Sequence, residues 1–223
     1  ETEFCYITDN KGNFLAAKGG YNDESHNHND AGTFSFWIDQ TPFLIDAGVG
    51  TYTRQTFSKD RYTIWTMQSN YHNLPLINGV PQRYGATYKA TQVQADKRKN
   101  TFTANIATAY PAEAEVESWI RSYSLQKGQL RISDSFRLTT AKQPNFMTWG
   151  QVNTEIPGKI QLEVKGKKAV IEYDKQLFDV KTEIIPLTDT RLSNVWGKSI
   201  CRITLTATNI YKTGNYSFTI KKQ

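Results

Sequence analysis

Only two cysteines, Cys5 and Cys201, occur in the 223 residues, too few for a disulfide framework or a thiolate zinc site, although one bridge between the two ends of the chain stays open. No stretch approaches the ~20 apolar residues of a membrane-spanning helix, and no basic segment followed by an apolar one opens the chain as a secretion signal would. A clean helical apolar period is missing over any window of about twelve residues, which excludes the crossover helices of a parallel sheet. Recognition-helix patterns, zinc-finger spacings and aromatic RNP-type strands are absent too, leaving nucleic acid a weak alternative as partner. The first residue is Glu1 rather than Met, which reads as a piece of a longer or processed protein.

What is present is a core-forming composition, 38% hydrophobic and 13% aromatic, sufficient for one large domain over residues 1–223. A composition break at Asn153 to Gly158 is the alternative, a subdomain boundary. Lysine and arginine outnumber acids by 27 to 21, for a net charge of +6 and a pI near 9.2. That balance favours a polyanionic partner, nucleic acid or acidic polysaccharide.

Period-two alternation recurs along the whole chain. Thr33 to Ile38 sets Phe34, Phe36 and Ile38 on one face, and Leu130 to Leu138 repeats the pattern with Leu130, Ile132, Phe136 and Leu138, as half-buried strands do. Further strand-like runs are Ala86 to Gln94, Thr101 to Tyr110, Val116 to Leu125, Ile160 to Val164, Ala169 to Tyr173, Cys201 to Ala207 and Tyr216 to Ile220. Turn chemistry at Lys127-Gly128, Lys165 to Lys168 and Thr213-Gly214-Asn215 predicts antiparallel hairpins. The fold class expected is all-β, a large antiparallel β-sandwich.

The three histidines of the chain are His26, His28 and His72, the first two within Ser25-His26-Asn27-His28-Asn29-Asp30. On an extended segment the rings at 26 and 28 point apart unless the backbone bends, so one faces an ion and the other a groove. The next predicted hairpin, Thr33 to Asp39 with Phe43 to Asp46, would set Asp46 opposite Ser35 at its open end, where the His28 segment enters. A carboxylate abutting an apolar strand requires a cation or a buried partner. His72, in Asn70-Tyr71-His72-Asn73, supplies a third ligand. Two imidazoles and one carboxylate suit zinc better than calcium, which takes six to eight oxygens. Taken singly, each histidine is an ordinary polar surface residue and Asp46 an ordinary turn cap; all three histidines gathering near one hairpin shifts the weight toward a metal. A cupin would add a glutamate soon after the paired histidines, and here the chain reads Asn29-Asp30-Ala31-Gly32-Thr33-Phe34.

The ordered set Ser25 to Phe34, Phe43-Leu44-Ile45-Asp46-Ala47-Gly48, Tyr52, Tyr71-His72-Asn73 and Asn78-Gly79 resembles the heparinase II/III-like family of polysaccharide lyases and relatives, in which an α/α toroid precedes a β-sandwich region. Glu117 to Arg121 and Ser133 to Phe136 suit the same family's sheets. The resemblance implies that His28, Asp46 and His72 hold a metal, usually zinc, with a structural role. It gives catalytic roles to His26 and Tyr62, and sugar contacts to Asn27, Tyr52 and Arg61, the last toward a uronate carboxylate or sulfate. The implied reaction is β-elimination on an acidic polysaccharide such as a glycosaminoglycan, in a periplasmic or secreted protein. No toroid is encoded here, so the chain on its own is expected to be inactive and to carry one wall of the site. The competing reading is a non-catalytic carbohydrate-binding module with a structural zinc; a water-activating metallohydrolase ranks last.

Overall fold

A computed structural model describes residues 3–140, 145–149 (backbone only) and 152–223. Its strands form four antiparallel sheets. One, of four strands, runs β1 (Phe4–Thr8), β2 (Asn13–Lys18), β4 (Phe34–Ile38), β5 (Thr41–Leu44); a short pair joins β3 (Tyr21–Asn22) to β7 (Gly85–Lys89). The largest has eight strands, ordered β13 (Val152–Asn153), β14 (Lys159–Val164), β15 (Lys167–Tyr173), β18 (Thr213–Lys222), β11 (Gln129–Leu138), β10 (Val116–Gln126), β9 (Thr101–Asn105) and β8 (Thr91–Asp96). The last orders β16 (Phe178–Pro186), β17 (Ser199–Ala207), β12 (Asn145–Trp149) and β6 (Pro75–Leu76). The chain is an all-β antiparallel sandwich, with one α-helix, α1 (Thr190–Trp196), among the described residues.

Alternation explains the packing. The inward rows of β4 (Phe34, Phe36, Ile38) and β11 (Leu130, Ile132, Phe136, Leu138) are buried. Tyr123 of β10 meets Phe34 across the sandwich at 5.1 Å, and Phe178 of β16 meets Tyr216 of β18 at 4.7 Å, so the eight-stranded sheet packs against both four-stranded ones. The inward row of β11 contains one charge, Asp134. Its cross-strand partner is Arg121 of β10, whose Nε donates to Asp134 Oδ1 and Nη2 to Oδ2, both at 2.8 Å, while Trp119 Nε1 donates to Oδ1 at 2.9 Å. A carboxylate this deep is tolerable only with such a full set of donors.

Several expectations are corrected. Thr213-Gly214-Asn215 is no turn: it opens β18, and Gly214 pairs with Phe136. A Cβ on Gly214 would lie 2.8 Å from the Phe136 ring, so glycine there makes room for an aromatic neighbour within a strand. The run Ala86 to Gln94 breaks at Ala90, and Thr101 to Tyr110 ends at Asn105 before a 3₁₀ turn over Ala107–Ala109. The β4–β5 turn falls at Asp39-Gln40, both with positive φ, and a register shift follows between Phe36 and Trp37. Asp46 therefore lies beyond the end of β5 rather than opposite Ser35. Cys5 and Cys201 are both free thiols. Asn153 to Gly158 connects two strands that pair directly, β13 and β14.

Candidate functional site

Asp46 owes its position to its neighbours. Ile45 and Ala47 on either side are buried in a small second core with Leu187, Leu192 and Ile200, beneath α1. Alternation turns the carboxylate of Asp46 away from that core. Its Oδ1 accepts a 2.7 Å hydrogen bond from the Gly48 N–H, so the turn-cap reading is realised. The other oxygen, Oδ2, lies 3.1 Å from His72 Nδ1.

His72 follows four consecutive 3₁₀ turns, Gln55–Phe57, Arg61–Thr63, Trp65–Met67 and Ser69–Tyr71. Its ring is 1% exposed. Nε2 stands 3.2 Å from the Thr66 carbonyl oxygen, which can only accept, so Nε2 carries a hydrogen and Nδ1 faces the carboxylate. The next residue, Asn73, donates from Nδ2 to the carbonyls of Phe34 at 2.8 Å and Ile45 at 3.2 Å, drawing the end of β5 toward His72.

The His-rich loop is pinned at several points. Asn29 N–H bonds the Met67 carbonyl, Asp30 and Ala31 N–H groups bond Asn22 Oδ1, and the buried Lys18 ammonium reaches Asp30 at 2.6 Å and Glu24 at 3.1 Å. His26 takes a left-handed conformation, φ 58°. The rings at 26 and 28 thus have different surroundings because the backbone turns at His26, not because the segment is extended. His28 is half-buried and its ring lies 5.4 Å from that of His72.

Ligand atoms of His28, Asp46 and His72 all fall within 4.8 Å of one another. Zinc–nitrogen and zinc–oxygen bonds of about 2.0–2.2 Å place tetrahedral donors about 3.4 Å apart, so the widest separation would close by at most about 1.4 Å. The donor set fits a divalent metal: two imidazoles and a carboxylate, with the Thr66 carbonyl orienting one ring from behind.

Electrostatics agree. Burial raises the Asp46 carboxyl, but the His72 charge and hydrogen bond, His28 and the Gly48 N–H outweigh it and hold the group well below the usual carboxylate range. Burial opposes the His72 imidazolium, yet Asp46 in front of Nδ1 raises the ring above its ordinary value. Burial, then the neighbouring His72 ring, pushes His28 down to about 4. The space between the groups favours one positive charge; a proton on His72 Nδ1 fills that role, and a divalent cation fills it more fully.

The residues expected to touch sugar are linked to one another around the His-rich loop. His26 is exposed, with its ring edge-on to Tyr52 at 6.4 Å. Asn27 is buried; its Nδ2 donates to the Tyr62 hydroxyl at 3.3 Å. Burial raises the Tyr62 phenol, with the Asn27 and Arg61 contacts opposing. Tyr62 stacks on Tyr84 at 4.5 Å, an aromatic neighbour the sequence had not singled out. Arg61 donates from Nε and Nη2 to the Asn27 carbonyl and from Nη1 to the Thr56 carbonyl, so much of its guanidinium braces the loop that carries His26. Asn73 and Thr66 were likewise missed as positioning residues. Asn73 was visible beside His72, but nothing local marks Thr66.

Solved structures of similar fold include a heparan sulfate lyase HepC mutant from Pedobacter heparinus (TM-score 0.75, 14% identity), HepC itself from the same organism (0.73, 15%) and the heparinase III BT4657 gene product (0.70, 15%). Each is matched over 100% of this chain and 35% of its own, so the chain spans about a third of their length. No curated protein matches by sequence. The sequence model described as "Heparinase II/III-like, C-terminal" matches residues 4–194, and the chain belongs to that family.

Proposed function

We propose that this chain is the β-sandwich part of a polysaccharide lyase that cleaves a uronate-containing polysaccharide, of the heparan sulfate kind, by β-elimination. The observation that carries the reading is the convergence of His28, Asp46 and His72, the first of them two residues from the exposed His26. A structural divalent metal, zinc by the chemistry of its donors, would be held by those three and would fasten the His-rich loop to the end of β5 and to the segment bearing His72.

This chain's own groups divide the proton work. Tyr62 has a phenol raised by burial, so it stays protonated near neutrality, and its oxygen accepts from Asn27, which leaves its O–H to donate. It is the acid for the leaving O4. His26 takes the proton from C5. The C5–H and C4–O4 bonds break, a C4=C5 double bond forms, one proton ends on His26 and the one from Tyr62 ends on O4; no water is consumed. An α-helical domain preceding this one would supply the opposite wall, and the whole protein would be periplasmic or secreted.

The test uses the full-length protein with a panel of uronate polysaccharides. Unsaturated products, seen as rising ultraviolet absorbance and lost in His26→Ala with folding and metal content unchanged, support the lyase. Saturated products lost on chelation point to hydrolysis by metal-activated water instead. Binding without turnover leaves a carbohydrate-binding module.

A further inference from the structure

The wall beside His26 extends further than its expected contacts. Tyr52 stacks on Phe57 at 5.5 Å with rings 19° from parallel, and Phe57, the last residue of the 3₁₀ turn Gln55–Phe57, is 75% exposed, so the two rings together present an apolar face to solvent. Against Tyr52 stands a cation from the far end of the sequence: the Arg191 guanidinium lies 5.4 Å from the ring centroid. Arg191 is exposed and has no carboxylate partner among the described residues.

The fold fixes this approach from both sides. Asp189 caps α1 by accepting from the N–H groups of Arg191 and Leu192. The same carboxylate accepts from Thr51 N–H at 2.7 Å and Thr51 Oγ1 at 3.2 Å. A Cβ on Gly50 would stand 2.9 Å from Asp189 Oδ2, so glycine is what lets the loop come this close. Trp196 Nε1, at the other end of α1, donates to the Ala47 carbonyl at 3.0 Å. The loop from Ala47 to Tyr52 is thus fastened to the helix at two points, and Arg191 is carried with it to the side of Tyr52.

We propose that Arg191 reads the anionic group of the bound saccharide, a carboxylate or sulfate, on a ring seated against the Phe57–Tyr52 stack beside His26, with Asp189 as its positioning residue. The guanidinium fork matches either oxyanion, and the stacked rings offer a flat apolar face to the C–H side of a pyranose. Arg61, largely engaged with backbone carbonyls, leaves this task to Arg191. The inference rests on the lyase reading for its choice of ligand, but its test does not depend on turnover.

Binding of a size-defined heparan sulfate oligosaccharide is measured on the full-length protein carrying His26→Ala, so that bound chain is not consumed, with and without Arg191→Ala. Loss of the charge-assisted contact should weaken binding by about tenfold or more, with partial recovery in Arg191→Lys and an unchanged melting temperature. Phe57→Ala should weaken binding as well. Equal weakening on desulfated oligosaccharide assigns the carboxylate; weakening only on the sulfated one assigns sulfate. Unchanged affinity in Arg191→Ala overturns the inference, even if the wild-type protein is an active lyase. Arg191-dependent binding, with no elimination by the protein that keeps His26, overturns the lyase reading and leaves the inference standing. Failure of the His26→Ala protein to bind either oligosaccharide overturns the inference too.

Discussion

Arg121 Nη1 donates to the backbone carbonyl of Asn73 at 2.8 Å while the rest of its guanidinium grips Asp134. A buried ion pair in the sandwich core is thereby joined to the residue beside His72, a candidate metal ligand. Arg121→Met should strand the Asp134 charge in a dry interior, a loss of about 3–5 kcal/mol by denaturant titration. Arg121→Met with Asp134→Leu should recover much of that stability, as apolar replacements of buried pairs do. It should still bind metal more weakly than wild type, because the Asn73 carbonyl has lost its anchor. A double variant with native metal affinity would show the link to be packing alone.

Metal content provides the next prediction. The chain should bind one divalent ion, and His72→Ala or Asp46→Ala should each abolish stoichiometric binding. Saturation at a hundredfold over Kd would add about 2.7 kcal/mol, so chelation should lower the wild-type melting temperature and leave that of His72→Ala where it is. Equal responses of both proteins to the chelator would place the ion elsewhere.

How much of this was legible in the sequence depends on whether the signal was local. The inward rows of β4 and β11 and the turns at Lys127-Gly128 and Lys165-Gly166, all four residues with positive φ, follow from side-chain alternation and turn chemistry that a few neighbouring residues determine. The grouping of His28, Asp46 and His72 was legible because histidine is so scarce here. Strand β1 was not, since its outward residues Phe4 and Tyr6 are apolar as well, so the run Phe4 to Ile7 shows no polar and apolar alternation to detect. Gly214 misled because a glycine that accommodates the Phe136 ring looks, in sequence, like one that turns the chain. The engagement of Arg61 with carbonyls, and the arrival of Arg191 beside Tyr52, are set by contacts distant in sequence, on which composition and spacing are silent.

Lys18 gives the pH dependence. Its ammonium is buried, which lowers its affinity for the proton, but Asp30 and then Glu24 outweigh this and raise it above the ordinary 10.5. A group raised on folding contributes stability that is whole below its unfolded value and lost as the pH climbs through the folded one. The stability difference between wild type and Lys18→Met should therefore be flat from neutrality to about pH 10 and shrink above the ordinary lysine value. Using the difference cancels the other lysines and tyrosines. A difference that already collapses near pH 8 would mean that the ammonium is not held by these two acids.

Gly32 is where the His-rich loop enters β4, and two independent constraints meet there. Its φ is +85°, and an added Cβ would lie 2.3 Å from Ile106 Cγ2, while its carbonyl accepts from the Tyr123 hydroxyl at 2.7 Å. Gly32→Ala should combine overpacking of about 1–3 kcal/mol with the left-handed backbone cost of about 1–2 kcal/mol. Removing the obstructing methyl in Gly32→Ala with Ile106→Ala should relieve only the first component, so the two losses should be less than additive in a double-mutant cycle. The strain is four residues from His28, and metal affinity should fall in Gly32→Ala and partly return in the double variant. Strict additivity would mean that the loop's path into β4 tolerates a side chain at this point and that the ligand geometry is fixed by the other ties alone.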